Sequence, residues 1–396
     1  MKKIMIVGAS VLQLPAIIKA KEMGLEVAVV DYNPQAIGVE HADKYFNAST
    51  MDENAVAAAA EDYRPDGIMT LATDMPMRGV AKASEKLQLH SICYETAVKA
   101  TDKFEMIKAF KAYGVPSPWY YDVDSYEDLK TLEGKISFPC IIKPTDNAGS
   151  HGVAKVGSFD ELLENYEYSH SSSRHGKVIV EEYLDGPEVS VEVMVVNSRV
   201  HILQITDKIT TESPHFVEMG HTQPSRLLPE IQQQIREVAT AACLSLGLDK
   251  GPAHVEMKVT KRGPVMIELG ARMGGDNITT HLVPLSTGID MVGATIKVAL
   301  GEEPDISPTF NCGSAIRYFE VPFGIIESIS GVEEAMKIPG VKQITFTKQV
   351  GDESTPIQCS NDRIGFVIAQ GATADTAAEA CKKAMDSIDI CIKENN

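Results

Sequence analysis

The sequence predicts an α/β protein built from several structural units, and three observations lead to this prediction. In the first hundred residues, apolar strands such as KIMIV alternate with helical segments, which is the pattern of a parallel, doubly wound sheet. Between 178 and 270, short strands separated by turns flank one amphipathic helical segment at 231–247. The last hundred residues end in a strand, a turn and a helix, which predict a further α+β lobe.

Composition restricts the class of partner. The chain has 396 residues, of which 44% are hydrophobic and 23% charged, as in an ordinary globular protein of two to four units. Its formal net charge of −18 argues against a nucleic acid or an anionic membrane as partner, because neither attracts an acidic surface. Seven cysteines form no CxxC pair, and no signal-type or membrane-spanning apolar run is found. We therefore expect reduced thiols, a cytoplasmic location and small-molecule substrates.

A lysine followed by a loop of small residues lies at 138–153, FPCIIKPTDNAGSHGV. The apolar residues before Lys143 predict a short strand, so the ammonium projects from a fixed strand end. Gly149, Ser150 and Gly152 would let backbone N–H groups approach an anion. Together they favour a triphosphate site that the loop closes as a lid, although not a Walker loop, because the lysine precedes the glycines. The alternative is an ordinary hairpin with an exposed lysine.

Two acids are brought together at 254–276, HVEMKVTKRGPVMIELGARMGGD. The segment predicts two strands joined by a KRG turn, which would place Glu256 and Glu268 on one side of a β-hairpin. Converging carboxylates repel each other unless a cation lies between them, and Mg²⁺ prefers such oxygen ligands together with substrate phosphates. Solvated acids on an edge hairpin are the alternative.

The same segment contains further candidate residues. Arg272 offers a planar set of donors that suits a phosphoryl or carboxylate group, and Gly274 and Gly275 follow it as candidate substrate contacts. His254 lies two residues before Glu256 and therefore faces the same side of the strand. It is either a contact to phosphate or substrate or a packed strand histidine.

A strand, a turn and a second strand are predicted at 178–193, VIVEEYLDGPEVSVEV. At the end of the first strand, Glu181 or the backbone near Tyr183 and Leu184 could meet the edge of an adenine. Glu188 could accept hydrogen bonds from ribose hydroxyl groups. A plain acidic hairpin is the alternative.

A dinucleotide site in the N-terminal unit is disfavoured. The fingerprint needs glycines two and five residues after Gly8, where Ser10 and Gln13 stand. We therefore interpret Asp31, at a strand end, as a loop acid and not as a ribose ligand.

In this order, the three segments resemble the ATP-grasp superfamily, which includes D-alanine ligase, biotin carboxylase, the large chain of carbamoyl-phosphate synthetase and the L-amino acid ligases. The resemblance covers nearly the whole chain, and the wording ELGARMGGD is most similar to the L-amino acid ligase branch. It implies ATP and Mg²⁺ as cofactors, with Mn²⁺ as an alternative metal. It also implies an ATP-grasp fold made of an N-terminal Rossmann-like unit, a lid, a catalytic α+β unit and a C-terminal lobe.

The resemblance also implies roles for individual residues. TDKFEMIKAFKAYGVPSP at 101–118 looks like the opening helix of the fold, with Lys103 as the first ATP-binding lysine and Lys143 as the second. The remaining roles are Glu181 for the adenine amino group, Tyr183 and Leu184 through their backbone, Glu188 for ribose, Glu256 and Glu268 for magnesium, and Arg272 for charge in the transition state.

One position departs from the family pattern. Many relatives read E-x-N where this chain has Glu268, Leu269 and Gly270, so an asparagine that completes the metal site is missing. A second magnesium ion would then depend on Glu268, on water or on another residue.

Three domains are expected: 1–98, 99–300 with a lid at about 115–183, and 301–396. In the family the N-terminal unit helps to enclose the substrate, so the loop around Asp74 at a strand end is a candidate wall.

The resemblance implies an ATP-dependent carboxylate–amine ligase that forms an amide or peptide bond through an acyl phosphate and releases ADP and phosphate. Relatives of the phosphoribosylglycinamide synthetase, carbamoyl-phosphate synthetase or biotin carboxylase type share the ATP residues and are the alternatives. A non-catalytic ATP-binding protein is a further alternative, which only Gly270 supports. The expected partners are a small carboxylate and a small amine, and a homodimer is expected because the superfamily often forms dimers.

Overall fold

A computed structural model describes residues 1–147, 151–212 and 216–393. The N-terminal part is a four-stranded parallel sheet in the order β3-β2-β1-β4 with helices packed against it, so the predicted doubly wound sheet is confirmed. Its elements are β1 (Lys3–Val7), α1 (Leu14–Glu22), β2 (Glu26–Asp31), β3 (Lys44–Asn47), α2 (Glu53–Tyr63), β4 (Gly67–Met69), α3 (Met77–Leu87) and α4 (Tyr94–Thr101).

A smaller antiparallel sheet follows, in the order β5-β8-β6-β7, and is called the lid sheet below. Its apolar face packs against two helices around Leu129 and Leu162, both fully buried. The elements of this part are α5 (Lys103–Tyr113), β5 (Tyr120–Val123), α6 (Tyr126–Lys130), β6 (Cys140–Pro144), β7 (Ala154–Val156), α7 (Phe159–Ser171) and β8 (Val178–Glu182).

The largest sheet has eight antiparallel strands in the order β13-β12-β9-β10-β11-β14-β18-β16 and is called the central sheet. A three-stranded sheet, β17-β15-β19, lies in the C-terminal part. The remaining elements are β9 (Glu188–Val196), β10 (Arg199–Thr210), β11 (Glu218–Gln223), α8 (Pro229–Leu246), β12 (Gly251–Thr260), β13 (Gly263–Gly270), α9 (Val283–Thr287), α10 (Met291–Ala299), β14 (Gly313–Tyr318), β15 (Gly324–Ser330), α11 (Val332–Met336), β16 (Val341–Phe346), β17 (Glu353–Ser354), β18 (Gly365–Gly371), α12 (Ala374–Asp386) and β19 (Asp389–Lys393).

Helix α8 shows why the core forms where it does. Pro229 occupies its first turn, where a missing N–H costs nothing, and Gly247 ends it in the left-handed conformation at φ 81°. Between these signals, Ile235, Ala239 and Leu246 recur on one face and are fully buried against the central sheet. The helix predicted at 231–247 is therefore confirmed, and it supports the strands that carry the two predicted metal acids.

The two strands predicted at 178–193 are present, but the alternative of a plain acidic hairpin is wrong. The two strands at 178–193 do not form a hairpin, because β8 belongs to the lid sheet and β9 to the central sheet. Residues 183–187 connect the two sheets, so the residues predicted to meet the adenine lie at the junction between them. Alternation within each strand cannot reveal which partner that strand chooses.

The central sheet draws strands from both sides of residue 300, since β14, β16 and β18 extend it beyond β11. The predicted domain boundaries remain predictions. Within the described ranges, no single helix is long and apolar enough to cross a membrane, and only the bent pair Ile278–Thr287 with Met291–Ala299 meets the length and composition test jointly.

Candidate active site

A cavity of about 360 Å³ is lined by residues of the lid sheet, the central sheet and the strand-end loops of the N-terminal unit. We call it the main cavity. Most of the site residues predicted from sequence line it: Asp74, Lys103, Lys143, Glu181, Tyr183, Leu184, Glu188, His254, Glu256, Glu268, Arg272 and Gly275. Gly149 and Ser150 lie outside the described residues. Residues more than 190 positions apart in sequence therefore meet in one place.

Glu256 and Glu268 are direct partners across strands β12 and β13. Residues that face each other in an antiparallel pair point to the same side of the sheet, so the predicted convergence of the two acids is present. Neither carboxylate is left without a cation. Glu268 accepts a hydrogen bond of 2.9 Å from Lys103 Nζ, and Glu256 accepts one of 2.8 Å from Lys208 Nζ.

Lys208, on β10, was not predicted from sequence. Its side chain is 2% exposed, and its ammonium lies 2.7 Å from Glu188 Oε1 and 3.4 Å from Glu218 Oε1, in addition to Glu256. Burial alone would lower the pKa of Lys208, but the three carboxylates outweigh it and raise the pKa well above its ordinary value. The one available signal was the spacing of two residues between Gln204, Thr206 and Lys208, which places the lysine on the same face of the strand as two other polar residues.

Lys103 is the first residue of α5, and its position is fixed from two sides. Asp102 caps the helix by accepting hydrogen bonds from the N–H groups of Phe104 and Glu105, and Lys103 N–H donates to the carbonyl of Thr145. Burial opposes its charge, but Glu268 and, less strongly, Asp74 raise the pKa of the ammonium. The lysine that resemblance alone indicated thus stands beside a predicted metal acid.

Lys143 lies near the end of β6 and is buried, with 5% of the residue exposed. Its ammonium forms an ion pair with Glu181 on the neighbouring strand β8. Beyond the strand end, Leu184 is nearly buried, and the Tyr183 ring lies 3.8 Å from Lys155 Nζ. A fixed charge and an apolar wall therefore stand side by side at the sheet junction, as a nucleotide requires.

Gly152 does not line the main cavity. Its N–H is 3.4 Å from Tyr168 Oη, and its carbonyl accepts a hydrogen bond from Ser169. At φ 79°, with a Cβ position only 2.5 Å from Ser172, the residue must be glycine for local packing reasons. The geometry gives no support to the predicted contact between Gly152 and phosphate.

His254 is buried with both ring nitrogens engaged. Nδ1 lies 2.9 Å from Glu192, which is itself fully buried, and Nε2 lies 3.1 Å from Glu256. Burial would lower the pKa of His254, but Glu192 and Glu256 raise it to about 9, so the ring is an imidazolium that donates to both acids. This favours the packed-histidine interpretation, in which His254 holds Glu256 in place. A Cβ on Gly274 would lie 2.6 Å from His254 Nδ1, so a glycine at this position makes room for the His254–Glu192 pair.

Arg272 is held by Asp74, whose Oδ2 accepts a hydrogen bond of 2.7 Å from Nη2. Burial opposes the charge, but Asp74 raises the pKa of the guanidinium. Asp74 Oδ1 and Arg272 Nε are buried and have no hydrogen-bond partner among the residues that the structure describes. A Cβ at position 270 would lie 2.5 Å from Asp74 Oδ1, so the departure at Gly270 has a steric reason: this ion pair fills the space that a side chain at that position would take.

The C-terminal part also reaches the main cavity. Arg363 donates two hydrogen bonds, of 2.7 and 2.8 Å, to Asp276 and stacks on Tyr318 at 3.8 Å. Burial would raise the pKa of Asp276, but Arg363 and His221 lower it. His221 lies 3.3 Å from the same carboxylate, and its Nδ1 is buried with no hydrogen-bond partner in the described ranges. Sequence inspection gave no signal for this cluster, because its members lie on unconnected segments.

Comparison with known families agrees with this geometry. Residues 136–281 match the model of an ATP-grasp domain, and residues 317–393 match L-amino acid ligase C-terminal domain 2. The chain therefore contains an ATP-grasp domain. The family resemblance expected from the three sequence segments is thereby confirmed.

Individual relatives extend the likeness over the whole chain. The chain is 29% identical over 332 residues to the uncharacterized protein y4rH of Sinorhizobium fredii, and the alignment covers 82% of this chain and 68% of that protein. It is 25% identical over 398 residues to the formate-dependent phosphoribosylglycinamide formyltransferase of Saccharolobus solfataricus, covering 98% of this chain and 96% of that protein.

Solved structures share the fold. The L-amino acid ligase of Bacillus licheniformis superposes with a TM-score of 0.86 at 23% identity, covering 100% of this chain and 99% of the other. The phosphoribosylglycinamide synthetase of Anaerococcus prevotii superposes with a TM-score of 0.81 at 24% identity, covering 99% and 100%. The expected ATP-grasp fold is therefore confirmed.

Proposed function

We propose that this protein is an ATP-dependent carboxylate–amine ligase, which forms an amide bond through an acyl phosphate and releases ADP and phosphate. The observation that carries the proposal is the arrangement of Glu256 and Glu268 in register, with Lys103, Lys143 and Arg272 around the same cavity. Two acids and three cations in one partly dry cavity suit a polyphosphate that must be bound and have its charge neutralised.

The nucleotide is oriented by the junction between the two sheets. Its base would lie against Tyr183 and Leu184 with Glu181 at its edge, and its ribose would lie at Glu188. From there the phosphate chain runs to Lys143 and Lys103, whose ammonium groups now rest on carboxylates. Charged donors of this kind contribute about 1.5–3 kcal/mol each to binding.

The acids fit a magnesium ion that arrives with the nucleotide. In the described residues no group of three or more His, Cys, Asp or Glu side chains forms a metal site. That suits Mg²⁺, which is usually held by one or two carboxylates and completes its shell with phosphate oxygens and water. Glu256 and Glu268 would hold it, and it would supply charge neutralisation of the phosphates. Mn²⁺ is an alternative with the same ligand preference.

The chain's own residues supply positioning and charge. A free carboxylate is a poor electrophile, so its oxygen first attacks the γ-phosphorus and ADP leaves. The amine then attacks the acyl carbon, a proton leaves the nitrogen and phosphate departs. Arg272, oriented by Asp74, offsets the charge that develops on the transferred group and on the tetrahedral intermediate. His254 and Glu192 keep Glu256 in place during both steps.

Formate is a specific candidate for the carboxylate. The Saccharolobus relative, which aligns over nearly the full length of both chains, is named as formate-dependent, and formate activated by phosphorylation fits the same chemistry. An amino acid is the candidate that the match to L-amino acid ligase C-terminal domain 2 favours.

The test is a screen of carboxylates, including formate and the amino acids, in pairs with small amines, read as phosphate release. We expect ADP and orthophosphate as products. For a productive pair, a carboxylate labelled with oxygen-18 should transfer one label into phosphate. Label in AMP, or pyrophosphate among the products, would refute the acyl-phosphate mechanism, and the absence of turnover despite ATP binding would favour a non-catalytic nucleotide-binding protein.

A further inference from the structure

A second cavity, of about 240 Å³, adjoins the main cavity, and we call it the side cleft. It is lined by the N-terminal unit, the start of α5 and the connection before β8, including Arg78 and Arg174. It shares Asp74, Lys103 and Glu268 with the main cavity, so the two spaces meet at the reaction centre.

The two arginines of the side cleft keep free donors. Within the described residues, the half-buried Arg78 donates one side-chain hydrogen bond, from Nε to Thr101 Oγ1 at 2.6 Å. Arg174 is exposed, and the contact of its guanidinium with the described residues is 2.9 Å from Nη2 to the sulfur of Met75, a weak acceptor. In the part of the chain that the structure describes, neither guanidinium forms an ion pair with a carboxylate.

The acids that line the side cleft are already engaged. Their partners are Tyr94 and Lys82 for Glu53, Arg272 for Asp74, backbone N–H groups at 174 and 175 for Asp146, and Lys103 for Glu268. In the part of the chain that the structure describes, Arg78 and Arg174 therefore keep guanidinium donors that no carboxylate occupies, and an anion entering the side cleft displaces no existing ion pair of either residue.

The position of the side cleft indicates which substrate it serves. Under the proposed function, the nucleotide enters the main cavity from the sheet junction and ends at Lys103 and Glu268. The amine must reach the acyl phosphate from a direction that the nucleotide leaves open. The side cleft opens at that end, beside Lys103, Asp74 and Glu268.

We propose that the side cleft is the subsite for the amine substrate, and that this amine carries an anionic group, a carboxylate or a phosphate, which Arg78 and Arg174 bind. This inference rests on the proposed function and adds a requirement on the substrate. Arginine suits the role because its planar donors match two oxygens of either group at once.

The test compares three kinds of amine with the full-length protein, ATP and Mg²⁺: amino acids, their neutral carboxamides, and ethanolamine with and without an O-phosphate. With the best pair, the wild type should use the anionic amine at least about tenfold better in kcat/KM than its neutral counterpart. Whether the carboxylate or the phosphate form is preferred identifies the source of the anion.

Arg78→Gln and Arg174→Gln should each lower kcat/KM for the anionic amine about tenfold or more while leaving the neutral amine unchanged. Arg78→Lys, which keeps the charge, should recover part of the loss. Arg199→Gln, at an exposed arginine that is the first residue of β10, is the matched control and should change neither value.

Two results would overturn the inference and leave the ligase activity standing: equal use of anionic and neutral amines by the wild type, or equal losses on both amines in the variants. Thermal unfolding of each variant separates loss of fold from loss of recognition. If ATP is bound but no pair is turned over, the proposed function fails and this inference fails with it.

Discussion

Two strand-end regions of this molecule carry similar polar residues, but they use them differently. In the N-terminal sheet, Asp31 accepts hydrogen bonds from the N–H groups of Ala9 and Asn33, and Gln13 Nε2 donates to the carbonyl of Leu71. These groups satisfy one another within the loops. In the main cavity, by contrast, Lys103 and Lys208 are paired with carboxylates that a bound metal could take over.

The difference shows what separates a polar loop from a ligand site. A buried carboxylate that accepts backbone N–H groups stabilises its own loop and has little capacity left. A buried carboxylate held by a lysine from another element can exchange that lysine for a metal, and the lysine can exchange the carboxylate for a phosphate. The two regions differ in having or lacking a lysine partner that can be exchanged for a ligand, and they do not differ in burial.

The largest effect is expected at Glu268. Glu268→Gln should abolish turnover, because an amide lacks the anionic oxygen that magnesium requires, while the fold should survive since glutamine can still accept a hydrogen bond from Lys103. Phosphate release with an identified pair of carboxylate and amine substrates measures turnover, and thermal unfolding measures the stability of the fold. Near wild-type phosphate release would remove Glu268 from the metal site and weaken the contrast between the regions.

Arg272→Ala should slow the chemical step about 10²- to 10³-fold, because its charge is used mainly in the transition state. The dissociation constant for ATP should change much less. Single-turnover transfer of oxygen-18 label into phosphate measures the step, and calorimetry measures ATP binding. Parallel losses in both would show that Arg272 binds the nucleotide instead of acting in catalysis.

Lys143→Ala should weaken ATP binding by about 1.5–3 kcal/mol, since it removes a charged donor from a partly dry cavity. Glu181→Gln is the comparison variant, because it breaks the same ion pair, keeps the ammonium, and leaves an amide oxygen that can still accept a hydrogen bond from the adenine amino group. Calorimetry with both variants separates the effects. If a folded Lys143→Ala protein bound ATP as tightly as the wild type, the Lys143–Glu181 pair would be a structural ion pair, comparable to the N-terminal loop groups that satisfy one another.

Asp31→Asn tests the other side of the comparison. The amide can replace only part of the acceptor capacity of the carboxylate, so we expect a loss of about 1–2 kcal/mol in the free energy of unfolding. ATP affinity and turnover should not change. Denaturant unfolding measures the free energy of unfolding, and calorimetry measures ATP affinity. A clear loss of ATP affinity would mean that the N-terminal loops contribute to the nucleotide site.

The smallest effect concerns pH and His254. Folding raises the pKa of this histidine from about 6.5 to about 9, so its stabilising contribution is complete below about pH 6.5 and is lost as the pH rises through about 9. Without ATP and metal, the wild type should lose more thermal stability between about pH 7 and about pH 9.5 than His254→Gln does. Equal losses would show that His254 is not charged in the folded protein.

Sequence inspection located most of the site because strand ends and turns are local signals. The KRG turn predicts the β12–β13 hairpin, and the hairpin places Glu256 opposite Glu268. The resemblance to a known family added Lys103, which no local pattern marks. Lys208 and Arg363 were missed because their partners lie on segments distant in sequence, and a single charged residue gives no indication of its partners.

The sequence by itself determined the parallel N-terminal sheet, the amphipathic helix α8, the acidic hairpin and the ATP-grasp resemblance, all of which follow from periodicity, turn residues and short motifs. Only the tertiary structure decided that β8 and β9 lie in different sheets, that Gly270 leaves room for the Asp74–Arg272 pair, and that Gly274 leaves room for His254. The physical reason is that these features depend on which atoms from remote segments fill the same space, and local patterns carry no information on that.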